Sequence, residues 1–168
     1  MVSTLKSLKR RANKLIPAFS ANLARQYAFW LCFFALTRLI FLLYNREELH
    51  GIPLSETSKA FTRALYVDLS MAAYFMLVPL ILTGISAFYP KTWLSFLNNG
   101  FQKSLIVLVS LITIAELPIY DEWGHKLTYK ALWFLQHPAE VYHTASLKQF
   151  WGGLLATGII AFAGFRMF

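Results

Sequence analysis

Cysteine is almost absent from this chain. Cys32 is the single one in 168 residues and lies inside an apolar run, so neither a disulfide framework nor a cysteine-based zinc site is available. Charge is scarce too. Only 14% of the residues are charged, where an ordinary soluble domain carries about 25%. Acids are the scarcer sign, eight against sixteen Lys and Arg, and the first acid is Glu47. A net charge of +8 raises nucleic acid as a partner, but the basic residues flank hydrophobic runs and form no soluble patch. Anionic lipid is the better counterpart, and nucleic acid is not expected. There is no glycine-rich phosphate loop, no Ser-His-Asp order and no nucleotide fingerprint. His50, His125, His137 and His143 lack the i, i+4 spacing of a zinc pair and read as surface or interfacial residues. The sequence supplies no catalytic constellation, and no metal or cofactor site is expected within it.

What the chain has in quantity is apolar sequence: 57% of its residues are hydrophobic and 17% aromatic. The expectation is an all-α integral membrane protein with about four transmembrane helices plus short amphipathic interfacial helices. Its length leaves no room for a second, soluble domain. Residues 1–26 hold Lys6, Lys9, Arg10, Arg11, Lys14 and Arg25. Leu5, Leu8, Ala12, Leu15 and Ile16 recur at helical spacing up to Pro17, which reads as a basic amphipathic cytoplasmic segment. A signal peptide is rejected, because the apolar run that follows is long, contains Arg38 and has no small-residue cleavage site.

Residues 27–168 form the expected transmembrane domain, with spans at about 27–44, 64–88, 104–119 and 150–168. Residues 89–103 then make an inner loop, and 45–63 and 120–149 outer loops. An outer interfacial segment at about 126–137 carries Tyr129, Trp133 and Phe134 between Lys126 and Lys130. The basic block places the N-terminus in the cytoplasm, and all eight acids then fall in the outer half.

The centre of interest is Glu116-Leu-Pro-Ile-Tyr-Asp-Glu-Trp-Gly124, which sets a carboxylate inside an apolar run ahead of an aromatic and acidic cluster. An ionisable residue within a span is expensive and faces the bundle interior or water. At about 1.5 Å per residue, Arg38, Asp68 and Glu116 lie about 9, 6 and 5 Å inside the outer ends of their spans. Two readings follow. In one the three line a polar pocket in which Arg38 offers a bidentate fork to a phosphate or carboxylate. In the other Arg38 snorkels and pairs with an acid merely to brace the helices. On the last span Gly153, Thr157 and Ala161 repeat small residues every four positions, which reads as a close-packing face within the chain.

The pattern Arg63-Ala-Leu-Tyr-Val-Asp68-Leu-Ser, then Glu116 and Tyr120-Asp-Glu-Trp-Gly, then Leu132 and Pro138-Ala-Glu140-Val, resembles the N-terminal membrane region of bacterial sulfatase-like membrane proteins. These are of the lipoteichoic-acid-synthase type within the alkaline phosphatase superfamily. The resemblance implies a bacterial inner-membrane, multi-pass location. It also implies a partner: an extracytoplasmic catalytic domain of a parent protein that holds a divalent metal, usually manganese, and moves phosphoglycerol, phosphoethanolamine or a similar headgroup from a phospholipid. The fifth span, nucleophile and metal ligands of that family are missing here, so the chain is expected to be the membrane-anchoring, lipid-facing portion and not catalytic by itself. For the residues present the implication is narrower. Asp68, Glu116, Tyr120, Glu122 and Trp123 would form the outer rim near which a lipid headgroup arrives, and the candidate outer polar pocket also takes in Arg38 and Arg63. A transport or channel module lined by Arg38, Asp68 and Glu116 is one alternative, disfavoured because the inner halves of the spans lack polar residues and no paired broken helices occur. A purely structural membrane subunit is another.

Overall fold

A computed structural model describes residues 2–47, 53–89, 92–123 and 147–168; at 2–18, 54, 57, 87–88, 121–123 and 147–149 it describes the backbone alone. Every regular element among them is helical: α1 (Val2–Tyr44), α2 (Leu54–Phe88), α3 (Thr92–Trp123) and α4 (Leu147–Met167). Each contains a stretch long and apolar enough to cross a membrane: Phe19–Tyr44, Ser58–Ser86, Thr92–Tyr120 and Phe150–Met167. The segment expected at 126–137 and the four histidines lie outside the described residues.

The helices outrun the apolar cores from which the sequence predicts them. Helix α1 continues unbroken through Pro17. Most of the loop expected at 89–103 is helical instead, because residues 92–103 form the first three turns of α3. Its polar residues Asn98 and Gln102 follow Leu94 at intervals of four, in phase with the buried Ile106, so they continue one helix face instead of ending it. At the other end α3 passes through Pro118 to Trp123, where a loop is expected from Tyr120. Proline removes one helical hydrogen bond and bends the axis without forbidding the turns beyond it.

The exposed and buried sets invert the habit of a soluble protein. Tyr66, Phe96, Leu155 and Phe162 are each more than 60% exposed, while Gln26, Thr37, Asp68, Gln102, Ser110, Thr113 and Thr157 are buried. Large exposed apolar side chains on every helix would be an aggregation hazard in water and suit a hydrocarbon surround. Three of the buried hydroxyls are satisfied locally. Ser110, Thr113 and Thr157 each donate to the carbonyl four residues back, at 2.7, 2.8 and 2.9 Å, as hydroxyls in apolar helices do.

The chain divides into two compact units. One holds residues 1–34, 53–102 and 168, and Trp30 is its centre. Trp30 is fully buried and meets Phe75 of α2 edge-on at 4.8 Å, with Phe29 and Phe33 beside it on α1. Gln26, Phe29, Trp30 and Phe33 recur at i, i+3, i+4, i+7, and Asp68, Ala72, Met76 and Pro79 form the buried stripe of α2.

The other unit holds residues 35–52 and 103–167. Here α3 and α4 run antiparallel. Ile114 lies against Gly153, whose added Cβ would stand 3.6 Å from the Ile114 Cγ2, and Lys103 stands 6.0 Å over the Phe165 ring. Moving back 11 residues on α3 (114 to 103) thus moves forward 12 on α4 (153 to 165). Thr157, Ile160, Ala161 and Gly164 are the buried face of α4, so its small residues lie on the packed side of the helix. Gly158, off that face, has nothing within 4 Å.

Candidate functional site

Residues 35–47 carry the last turns of α1, closed by Asn45, whose side-chain amide and backbone N–H both donate to the Phe41 carbonyl, at 2.9 and 3.1 Å. This ties up one of the carbonyls that a helix C-terminus leaves without a partner. The Phe41 ring stands edge-on against Tyr120 of α3, centroids 5.0 Å apart and planes at 75°, a favoured aromatic geometry. That contact sets the level of the site. Arg38 precedes Phe41 by three residues and Glu116 precedes Tyr120 by four, so both lie on the same helix faces as the rings and one turn deeper. At about 1.5 Å per residue their Cα atoms sit about 4.5 and 6 Å below the ring pair. Both are half-buried, and neither is a free charge. Arg38 and Glu116 thus lie about one turn beneath the ring pair, on helices whose other polar groups near that level are the hydroxyls of Thr37 and Thr113.

The remaining predicted residues are placed differently. Asp68 is 8% exposed and not free; it belongs to the other unit, on the buried stripe of α2 with Ala72 and Met76. Arg63 is exposed. Five residues before Asp68, it points about 140° away around α2 and does not share that stripe. Glu122 and Trp123 lie in the last turn of α3.

One polar cluster escaped the sequence reading. The Trp30 indole N–H donates to Gln102 Oε1 at 2.8 Å, and the Gln102 amide donates to Gln26 Oε1 at 3.1 Å. All three are buried, Trp30 and Gln102 completely. Nearby on α1, the Tyr27 hydroxyl donates to the Leu69 carbonyl of α2 at 3.1 Å. The expectation that the inner halves of the spans lack polar residues does not hold for the longer apolar stretch Thr92–Tyr120, which contains Gln102. Gln26 and Gln102 looked like loop or flanking residues because each stands at the edge of an apolar run. One turn from Gln102, the buried side-chain oxygen of Asn98 accepts no hydrogen bond.

Among the described residues no three His, Cys, Asp or Glu side chains gather as metal ligands would. Nothing described here therefore fits the manganese that the resemblance implies for a further domain. Comparison with known proteins finds no match: no family model, no curated protein and no solved structure is similar to this chain.

Proposed function

We propose that this chain is a multi-pass membrane domain whose outer end receives a phospholipid headgroup, with Arg38 as the phosphate-binding residue and Glu116 as its positioning partner. The observation carrying this reading is the placement of Arg38 and Glu116 one turn beneath the Phe41–Tyr120 pair. A guanidinium at that depth reaches headgroup level by snorkelling and offers paired N–H donors to a phosphate, while aromatic rings are at home at the same interface. Asp68 adds a second intramembrane acid on the packed face of α2. The acid-free basic block before the first span supports a cytoplasmic N-terminus, and the placement in a bacterial inner membrane rests on the resemblance.

The finer part of the proposal rests on the sulfatase-like resemblance alone. In it the domain anchors a phosphoglycerol- or phosphoethanolamine-type transferase whose metal-dependent chemistry lies in another domain. No step of that chemistry falls on the residues described. The transport alternative gains little from the Gln26–Gln102–Trp30 cluster, because its hydrogen bonds are made within a closed core and line no described cavity.

Binding of phosphatidylglycerol and phosphatidylcholine with identical acyl chains to the purified protein tests the proposal. Arg38→Gln should weaken phosphatidylglycerol binding about tenfold, the weight of one charge-assisted hydrogen bond, and leave phosphatidylcholine less affected. Unchanged binding of both lipids would leave Arg38 a brace.

A further inference from the structure

We infer a binding site for one water molecule between α1 and α3, held by Asn22 and Asn98, which completes a second polar rung beside the Gln26–Gln102 bond. Spans joined by short connections reverse direction at each turn, so α1 and α3 run the same way. Asn22 precedes Gln26 by four residues, and Asn98 precedes Gln102 by four. From the bonded glutamines, both helices therefore present an asparagine on nearly the same face, about 6 Å back towards their N-terminal ends. Both asparagines are half-buried.

The glutamine rung closes by itself and the asparagine rung does not. Gln102 Nε2 donates to Gln26 Oε1 at 3.1 Å, whereas Asn98 Oδ1 is buried and accepts from no group. Asparagine is one methylene shorter than glutamine. The helix separation that lets two glutamines meet therefore leaves two asparagines short of each other by about 2.5–3 Å, close to one hydrogen-bond length. Asn22 brings a donor to the same level: its Oδ1 accepts from Arg25 Nη2 at 3.3 Å, which leaves its Nδ2 to donate. A water accepts from that Nδ2 and donates to Asn98 Oδ1. Because water does both, the rung closes with the Asn98 amide in either orientation. An unmet amide oxygen is costly away from solvent, and a bridging water is nearly as favourable as a direct bond. Asn98 stands six residues, about 9 Å, from the start of α3 at Thr92, so water enters from the near surface of the membrane.

Water cross-relaxation in nuclear magnetic resonance tests the site, on the whole chain in detergent micelles with its asparagine and glutamine side chains labelled with nitrogen-15. The Asn98 amide should show a cross-peak to long-lived water, and the Gln102 amide, completely buried and already bonded, should show none. Asn22→Leu and Asn22→Met should both remove the Asn98 cross-peak, so a folding defect in one variant does not decide the matter. In unfolding, Asn22→Leu and Asn98→Leu should each lower the folded-to-unfolded ratio about threefold, the mean weight of an interhelical hydrogen bond in lipid. The two together should lower it no further. Asn22→Gln combined with Asn98→Gln should rebuild the direct rung, keeping the wild-type ratio while the water cross-peak disappears. A wild-type Asn98 amide without long-lived water overturns the inference. So does a cross-peak that survives both Asn22 variants, or single Leu variants whose effects multiply in the double.

Discussion

Trp30 shows what a single side chain does in this fold. Its indole fills the space between α1 and α2 while its N–H reaches α3 through Gln102. In a water-soluble core, Trp→Ala costs about 3–5 kcal/mol. When the unfolded reference stays in lipid, the transfer part of that cost falls away and packing remains, so Trp30→Ala should cost about 2 kcal/mol. Hydrogen bonds between helices in lipid average about 0.6 kcal/mol, with a maximum near 1.7. Gln102 makes two, and Gln102→Leu also strands the Trp30 N–H, so about 1–2 kcal/mol is expected. Ser110→Ala, at an equally buried position whose hydroxyl bonds only within its own helix, should cost less than about 0.5 kcal/mol. Unfolding of the three variants in mixed detergent measures this order, and a Ser110→Ala loss equal to that of Gln102→Leu would refute it. At the outer site, the singles Arg38→Met and Glu116→Leu should each destabilise more than half as much as the double variant. Removing one member of a charge pair leaves the other uncompensated, which costs about 3–5 kcal/mol where both are fully buried in water-soluble cores and less for half-buried groups such as these. Simple additivity of the two would show that the residues are not coupled.

Helix α4 is the element whose packing depends most on what is small. Glycine within a helix is about 1 kcal/mol less favourable than alanine, so a glycine there is useful only where a neighbour needs the room. A Cβ at Gly153 would meet Ile114 at ordinary contact distance, and one at Gly158 would meet nothing. Gly158→Ala and Gly153→Ala should therefore both raise stability by about 0.5–1 kcal/mol. Gly153→Leu, which must push into α3, should lower it by about 1–3 kcal/mol. Thermal unfolding separates these outcomes, and a neutral Gly153→Leu would mean that α4 does not rest on Ile114.

For the whole molecule the testable quantity is topology. With the N-terminus inside, Ser55, near the start of α2, lies outside the membrane and Tyr89, just past the end of α2, lies within the cell. Both are exposed on the protein surface. Cys32 is exposed as well, so Cys32→Ala is the proper background. In intact cells an impermeant thiol reagent should label Ser55→Cys and spare Tyr89→Cys until the membrane is opened. The reverse pattern would invert the orientation and carry Arg38 and Glu116 to the cytoplasmic face.

Composition and order alone determined the all-helical class, the four long apolar helices and the positions of Arg38, Asp68 and Glu116 along them. Hydropathy is a local property, and a helix satisfies its backbone within one segment, so neither needs a distant partner to be read. The same locality explains what was misplaced. Gln26 and Gln102 looked like the ends of spans because a polar amide beside an apolar run usually is one, and only packing could supply the partners, 76 residues apart, that let them be buried. Tertiary structure likewise decided that Asp68 lies on the packed stripe of α2 while Arg63 does not, that the small face of α4 meets α3, and that Phe41 and Tyr120, 79 positions apart, set the level of Arg38 and Glu116. The physical reason is common to all of these. A helix has the same internal hydrogen bonds whichever face it turns inward, so which side chains meet is decided by neighbours far away in the chain.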